Sequence, residues 1–506
     1  MDGAFLLFSS IVVPFFLGLC ILIFSKNRVV LQQSLALLGF SFPLIVGIFL
    51  LWSFQPSAEN GYDYLWQFDL GLLSVVGVSL HLGLNGVGLV LYLLAAVVGL
   101  AAGICAVWSR AKQLEWYLGL LLFMQSGLLG IFASVDLYFL CFFHGLALIP
   151  TFIMVGIWGG AGRKVAAMEM AVYLSVGSML SLVGLIALYF EIEVRSLDLI
   201  EIHRHFAEHS FRPEWRDSFL RDNLLALLLF GVGILISLFP FHSWAPRKYA
   251  EAPCSVAMLH AGVYNKFGFY LLIQVVVPLF SNEMADWQVV LMGLALANII
   301  IIGLVALAER DLKWLVAYSS VMQMGYGLLG IASMCILGVS GTVLLLFGHG
   351  LSFALLFLLA TAIHKRCETM DFQSMGGLIG KIPILSTFFI VAIFSSIGLP
   401  GFANFWGEMA IFFALGEYPW ILLLALVGMI ISATYSLRAM GAIFYGQTNR
   451  TLEAVLQRKK IVDMTLSEQA PAVVLLIFLF LVGVCPSLIS DPINEGVSSL
   501  FSKLIR

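Results

Sequence analysis

The chain is 506 residues long, 61% hydrophobic and only 11% charged. That balance excludes a soluble globular domain and gives an all-α, polytopic membrane protein as the fold class. A formal net charge of -3 is too small to imply nucleic acid or an acidic partner, and seven cysteines standing singly, with no C-x-x-C spacing, suggest neither a disulfide framework nor a metal or iron–sulfur site.

A membrane-crossing helix needs about 20 apolar residues, and the chain offers about fourteen such segments. The first three run from Ala4 to Phe24, Leu31 to Trp52 and Leu84 to Trp108. A close series follows at Trp116 to Ser134, Leu137 to Trp158 and Val165 to Phe190. After a long polar loop come Leu224 to Phe239, Cys254 to Val277, Val289 to Leu307, Leu312 to Met334 and Val339 to Ile363. Leu385 to Leu415, Trp420 to Tyr445 and Ala470 to Leu488 complete the set. The first span lacks a basic start and a small-residue cleavage site, so it is expected to stay in the mature protein.

Basic residues set the orientation. Lys26, Arg28, Arg110, Lys112, Arg163, Lys164, Arg247, Lys248, Arg310, Lys313, Lys365, Arg366, Lys381, Arg450, Arg458, Lys459 and Lys460 fall in or beside odd-numbered loops, whereas even loops carry Glu59, Asp63, Asp69, Asp136, Glu283, Asp286 and Glu417. The positive-inside rule makes the odd loops cytoplasmic or matrix-side and puts both termini on the opposite face. The stretch from Arg195 to Arg221 has mixed charge and His203, His205 and His209; without cysteine or standard ligand spacing it reads as a solvated surface helix rather than a zinc site.

Two spans are interrupted by proline in matching ways, the seventh at Ser237-Leu-Phe-Pro240 and the twelfth at Gly398-Leu-Pro-Gly-Phe402. Such breaks are tolerated where protein or water satisfies the freed carbonyls, and discontinuous helices in corresponding positions point to a transporter with internal repeats. Spans four to eight and nine to thirteen would then be two five-helix bundles related by inversion. The competing reading is that each proline only kinks a packing helix.

Intramembrane ionisable residues usually line ion pathways or pair with one another. Lys266 lies near the middle of the eighth span, where desolvation would let a lysine load and release a proton near neutral pH. His260, six residues earlier, is a candidate neighbour; His349, flanked by Gly348 and Gly350, sits mid-span where a helix or water can approach. Glu408, beyond the twelfth-span break, completes a Lys, His, Glu series across three helices. Structural alternatives are satisfied interhelical hydrogen bonds for the histidines and a static ion pair for Lys266 and Glu408. Tyr318 and Ser319 add hydroxyls at the start of the tenth span, more suited to bonding backbone or water than to chemistry.

The runs Pro240-Phe-His-Ser-Trp-Ala-Pro, Glu251-Ala-Pro, Leu259-His-Ala-Gly-Val, Asp311-Leu-Lys-Trp-Leu-Val-Ala-Tyr-Ser-Ser, His349-Gly and Gly398-Leu-Pro-Gly-Phe with Gly407-Glu408 resemble the antiporter-like membrane subunits of respiratory complex I, in length most like the chain M or subunit 4 branch. The same family includes subunits of sodium/proton antiporters and membrane-bound hydrogenases. The resemblance implies a fourteen-helix fold: three N-terminal spans over 1–110, a first bundle over 111–280, a second over 281–446, and a loop, last span and tail over 447–506. It also implies a hydrated axis of charged residues, in which Lys266 matches the central lysine, His349 the eleventh-span histidine and Glu408 the twelfth-span glutamate.

Two family residues are missing. The fifth-span glutamate position holds Gly145, with His144 beside it, and the seventh-span lysine position holds Leu235. Smaller departures are Asn85 in place of an aspartate and Gln323 in place of a tenth-span histidine. Three readings follow: a proton-translocating subunit in which His144 stands in for the glutamate, a non-pumping structural paralogue, or a sodium/proton antiporter or hydrogenase subunit. Loss of both members of the first-bundle pair leads us to expect a drier, more apolar middle there than in the second bundle, one that does not itself conduct protons along the family's usual route. An unrelated solute carrier would show a polar midplane pocket, which the spacing of single ionisable residues does not suggest. No nucleotide-binding glycine loop, paired cysteines or haem ligands are evident, so no cofactor is expected, and electron transfer falls to partner subunits of a hetero-oligomer. The expected home is a bacterial inner membrane.

Overall fold

The structure, a computed structural model, describes residues 3–55, 64–73, 78–109, 111–191, 196–208, 218–448, 452 and 462–501. The charges assigned to Glu59, Asp63, Arg110, Arg195, Arg450, Arg458, Lys459 and Lys460, and His209, lie outside the described residues.

Twelve described helices are long and apolar enough to cross a membrane, making this a multi-pass integral membrane protein. In chain order the N-terminal part comprises α1 (Gly3–Phe24), α2 (Val29–Trp52), a hairpin of β1 (Leu65–Leu73) and β2 (Val78–Leu84), and α3 (Gly86–Val107). The hairpin is antiparallel, with Phe68 opposite Leu82 and Leu70 opposite Leu80, and has no counterpart in the all-helical expectation. Next come α4 (Leu114–Ala133), α5 (Leu137–Trp158), α6 (Arg163–Glu191), the short α7 (Leu199–Glu208), α8 (Ser218–Leu235), α9 (Trp244–Glu251) and α10 (Cys254–Leu279). The remainder is α11 (Ser281–Ala308), α12 (Leu312–Ala332), α13 (Ile336–Cys367), α14 (Pro383–Ser396), α15 (Ala403–Ala414), α16 (Pro419–Phe444), α17 (Leu466–Val484) and α18 (Ser487–Phe501).

The elements divide into a buried set and a periphery. The middles of α3, α4, α10, α12 and α13 are almost wholly covered, whereas α1, α2, α6 and α16 present much of their apolar surface outward. That outward surface carries Phe16, Ile45, Met179 and Ile430, as expected of helices meeting lipid or neighbouring subunits.

Two segments repeat a local plan. Asp136 caps α5 by accepting from the backbone amides of Tyr138 and Phe139, and Asp311 caps α12 through Lys313 and Trp314. Beside each cap, the first helical amide donates to a strand-like segment that follows the next long helix: Leu137 N to Leu197 O and Leu312 N to Met370 O, both 2.9 Å. The return bonds, Leu199 N to Val135 O and Phe372 N to Arg310 O, are also 2.9 Å. The pairs α5/α6 and α12/α13 therefore begin and end alike.

The two proline sites are real interruptions. Between α8 and α9 the backbone passes through a positive φ at Ser237, and the Phe239 amide is taken by Asn298 Oδ1 at 3.1 Å. Between α14 and α15, Gly398 and Gly401 adopt φ of 80° and 97°, and Gln323 Nε2 donates to the Ser396 carbonyl at 3.3 Å. At each break an amide side chain from a neighbouring helix replaces a lost helical partner.

The segment expected to be a solvated helix with three histidines is instead docked: His203 is buried, with Nε2 at 2.8 Å from the Gln274 carbonyl. No group of three metal-capable side chains occurs among the described residues.

Candidate functional site

The centre of the molecule is built on α10. Its helix widens into π-helical turns at His260–Tyr264 and Leu272–Val276, a distortion that re-aims side chains and frees carbonyls. Lys266, fully buried, uses one of them: Nζ donates to Ala261 O at 2.6 Å. Its second contact is His349 Nδ1 on α13, at 2.9 Å.

Close helix approach makes that contact geometrically available. A Cβ on Gly350 would stand 2.5 Å from the Gly262 carbonyl, so only glycine lets α10 and α13 meet beside His349. On the other flank, a Cβ on Gly348 would collide with Asn404 of α15 at 2.4 Å. His349 is thus held between the two helices that carry Lys266 and Glu408. Its Nε2 lies 3.2 Å from the Ser320 carbonyl, which only accepts, so Nε2 carries the proton and Nδ1 receives the bond from Lys266. Ser320 Oγ stands 3.3 Å from the same nitrogen. The hydroxyls singled out in the sequence were Tyr318 and Ser319; Ser319 bonds the Val316 carbonyl, and its neighbour Ser320 faces the histidine.

Glu408 is buried on α15, its carboxylate packed over the glycine of the break. A Cβ on Gly398 would fall 2.1 Å from Glu408 Oε2. The carboxyl borders a mostly apolar cavity of about 440 Å³ with Phe405, Met409 and Phe412 on its walls, and Gln323 stands beside it. Among the described residues no carboxylate forms an ion pair with Lys266, so Lys266 and Glu408 are not a static pair.

The first bundle holds its own polar line. His144 on α5 takes a 2.6 Å bond from the Tyr264 hydroxyl at Nε2. Ser178 gives its one proton to the Leu174 carbonyl at 2.6 Å, so at 3.3 Å it can only accept from His144 Nδ1–H. These two bonds fix the neutral tautomer. A cavity of about 230 Å³ opens beside them, lined by His144, Gly145, Ser175, Ser178 and Ser181, and a Cβ on Gly145 would meet nothing within 4 Å. Leu235, by contrast, is packed against Gly268 of α10.

His260, a candidate neighbour of Lys266, directly precedes the residue whose carbonyl Lys266 bonds, and its own Nδ1 contacts the ammonium nitrogen of Lys248. Lys248 was read as a loop cation next to Arg247. The structure corrects this: Arg247 is half-exposed and pairs with Glu169 at 2.9 Å, whereas Lys248 is fully buried on α9 over the rings of Trp244 and Tyr249, at 4.4 and 4.3 Å. Lys248, His260, Tyr264 and His144 all lie buried in the region where a drier, more apolar middle is expected.

Comparison with known proteins places this arrangement. Residues 134–434 match the family described as NADH:quinone oxidoreductase/Mrp antiporter, TM. Over 98% of both chains the sequence is 29% identical to NADH-quinone oxidoreductase subunit M of Rickettsia felis. It is 30% identical to F(420)H(2) dehydrogenase subunit M of Methanosarcina mazei, over 93% of this chain and 92% of that one. A chain in the structure of respiratory complex I from Thermus thermophilus with bound NADH superposes with a TM-score of 0.84 at 25% identity, covering 98% of this chain and 99% of that one. With a family match across more than half its length and relatives aligned nearly end to end, the chain belongs to the NADH:quinone oxidoreductase/Mrp antiporter membrane family.

Proposed function

We propose that the chain is a proton-translocating, antiporter-like subunit of an NADH-quinone oxidoreductase of the complex I type. It assembles with other membrane subunits, and quinone reduction elsewhere in the complex drives proton movement through it. The observation that carries this reading is the buried Lys266–His349 contact, with no carboxylate partner among the described residues. A lysine that only held helices together would be paired, because an uncompensated buried charge costs several kcal/mol. A lysine that loads and passes a proton needs a neutral acceptor of the same bond, and His349 Nδ1 supplies one.

In this reading the axis runs from Lys266 to His349 and on past Ser320 and Gln323 to Glu408, with water completing the steps longer than a hydrogen bond. His260 and His144 serve the first-bundle side. The fold is fourteen spans, counting α8/α9 and α14/α15 as broken seventh and twelfth helices. Residues 111–280 and 281–446 form inverted five-helix bundles, between the N-terminal spans at 1–110 and the closing segment at 447–506; the matching caps and return bonds at Asp136 and Asp311 support this division. The chain resides in a bacterial inner membrane with both termini on the non-cytoplasmic side, as the basic loops indicate.

Replacing Lys266 by Ala in the assembled complex, reconstituted in liposomes, should reduce protons moved per electron sharply while assembly persists. A wild-type ratio would overturn the reading. Running the same assay with and without sodium tests the antiporter alternative named by the family, which predicts sodium-dependent proton movement.

A further inference from the structure

Lys248 stands eight positions beyond Pro240, and Glu408 stands eight positions beyond Pro400. Each lies in the short helix that resumes after a break, α9 or α15, and each is buried. The two halves of the molecule therefore each place a buried ionisable residue just past an interruption, Lys248 as the fifth residue of α9 and Glu408 as the sixth of α15, a cation in one and a carboxylate in the other. Lys248 has no carboxylate partner among the described residues. Its neighbours are the faces of Trp244 and Tyr249, which attract a cation, and His260 Nδ1, which can accept a proton from one. The acceptor role at Nδ1 puts the imidazole proton on Nε2, and that nitrogen is buried with no hydrogen-bond partner among the described residues. A buried imidazole N–H with nothing to donate to marks a place for water.

We propose that Lys248 and His260 are the proton-carrying pair of the first bundle, doing there what Glu408 does in the second and filling the gap left by Leu235. This rests on the proton-translocating reading above. The Lys248 ammonium gives its proton to His260 Nδ1 while the Nε2 proton leaves toward the unpartnered side, where a water receives it; Lys248 is left as a neutral amine and the imidazole as its other neutral tautomer.

Three variants of the assembled complex test this: Lys248→Met, which keeps length and removes charge; Lys248→Arg, which keeps the charge and cannot release it in a protein; and Lys266→Ala. Assembly, quinone reduction and protons per electron are read for each in liposomes. The proposal expects Met and Arg alike to lower the proton-to-electron ratio with assembly intact. A wild-type ratio in Lys248→Arg would overturn it, showing that a fixed cation over Trp244 and Tyr249 suffices. Wild-type ratios in both Lys248 variants, with Lys266→Ala defective, would overturn it while leaving the parent reading standing; a wild-type ratio in Lys266→Ala would overturn that reading itself. Should Lys248→Met not assemble, His260→Gln carries the same expectation, since it removes the acceptor and leaves Lys248 in place.

Discussion

The break at 236–243 and the break at 397–402 share a backbone plan and differ in how they are held. At the first, a non-glycine residue, Ser237, bears the positive φ, and Asn298 of α11 takes up a freed amide. At the second, Gly398 and Gly401 bear it, and the carboxylate of Glu408 lies directly on Gly398. The second break is built around its ionisable side chain. In the first, the ionisable side chain turns away from the break toward aromatic rings and an imidazole. One scaffold thus accommodates either charge, provided the local partners change with it: a polar break and an amide for the carboxylate, π faces and a neutral nitrogen acceptor for the ammonium.

The largest expected effect comes from neutralising the second break. Glu408→Gln preserves shape, and we expect proton movement to fall by about a hundredfold, the scale lost with a positioned proton-transfer group, while assembly stays normal. Normal proton movement in that variant would reduce Glu408 to packing and dissolve the comparison.

Next in size is Gly398→Ala. A Cβ there must displace Glu408 and occupy a left-handed backbone, costing roughly 1–3 kcal/mol. We expect a lower melting temperature and impaired transport together. At the first break Ser237 already carries a Cβ at its positive φ, so Ser237→Ala removes only a hydroxyl bonded to the Ile236 carbonyl and should spare transport; equal damage at both sites would contradict the contrast.

Gly145→Glu puts a carboxyl where a side chain has room but, with Leu235 in the seventh span, no lysine faces it, so we expect a loss of stability of about 2.5–3.5 kcal/mol, the insertion cost of an unpaired charge. Leu235→Lys should be tolerated less well, because Leu235 is packed against Gly268 and the site has no opening like that beside Gly145. Melting curves of the two variants rank them directly.

The smallest effect lies outside the spans, where β2 meets the cap of α5. Burial pushes the Asp136 carboxyl up to about 6, with the amides of Phe139, Ser79 and Tyr138 offsetting part of the rise. Burial pulls His81 down, but the Asp198 carboxylate it bonds more than compensates and leaves its pKa raised. For Asp136 the raised value means that ionisation opposes folding, a penalty absent at low pH and complete above about pH 6. For His81 the raised value means stability present below its unfolded pKa and lost as pH climbs through the folded one. Both act in the same direction, so hydrogen exchange in 78–84, corrected for intrinsic rate, should speed up as pH rises from about 4 through about 6 and on through the raised His81 titration. A flat profile, or slowing, would refute the assignment.

Much of this architecture was legible in the sequence because lipid forces long apolar runs and leaves few other solutions. The spans, the two proline interruptions and the depth of Lys266, His349 and Glu408 could all be read from local composition. Lys248 could not. It sits between Arg247 and Tyr249 in a polar stretch bounded by Pro246 and Pro253, and local composition there is that of a loop. Only the re-entry of α9 after the break carries it inside. The Pro240-to-Lys248 and Pro400-to-Glu408 spacing was the available signal, visible once the two breaks are set in register. Helical counting sets His260 in the neighbourhood of Lys266 but could not show its contact with Lys248, which depends on α9 and on the widened turn at His260–Tyr264. The β1–β2 hairpin was missed because a short two-stranded ribbon in a chain of membrane helices leaves a weak alternation, interrupted here by register shifts near Leu65 and Leu73.

The central claim is that Lys266 carries a proton and does not merely supply a charge. The most direct test is the proton-to-electron ratio of the reconstituted complex bearing Lys266→Arg, which keeps a permanent cation beside His349. The ratio is predicted to fall to that of Lys266→Ala, with quinone reduction and assembly retained. A wild-type ratio would contradict the account.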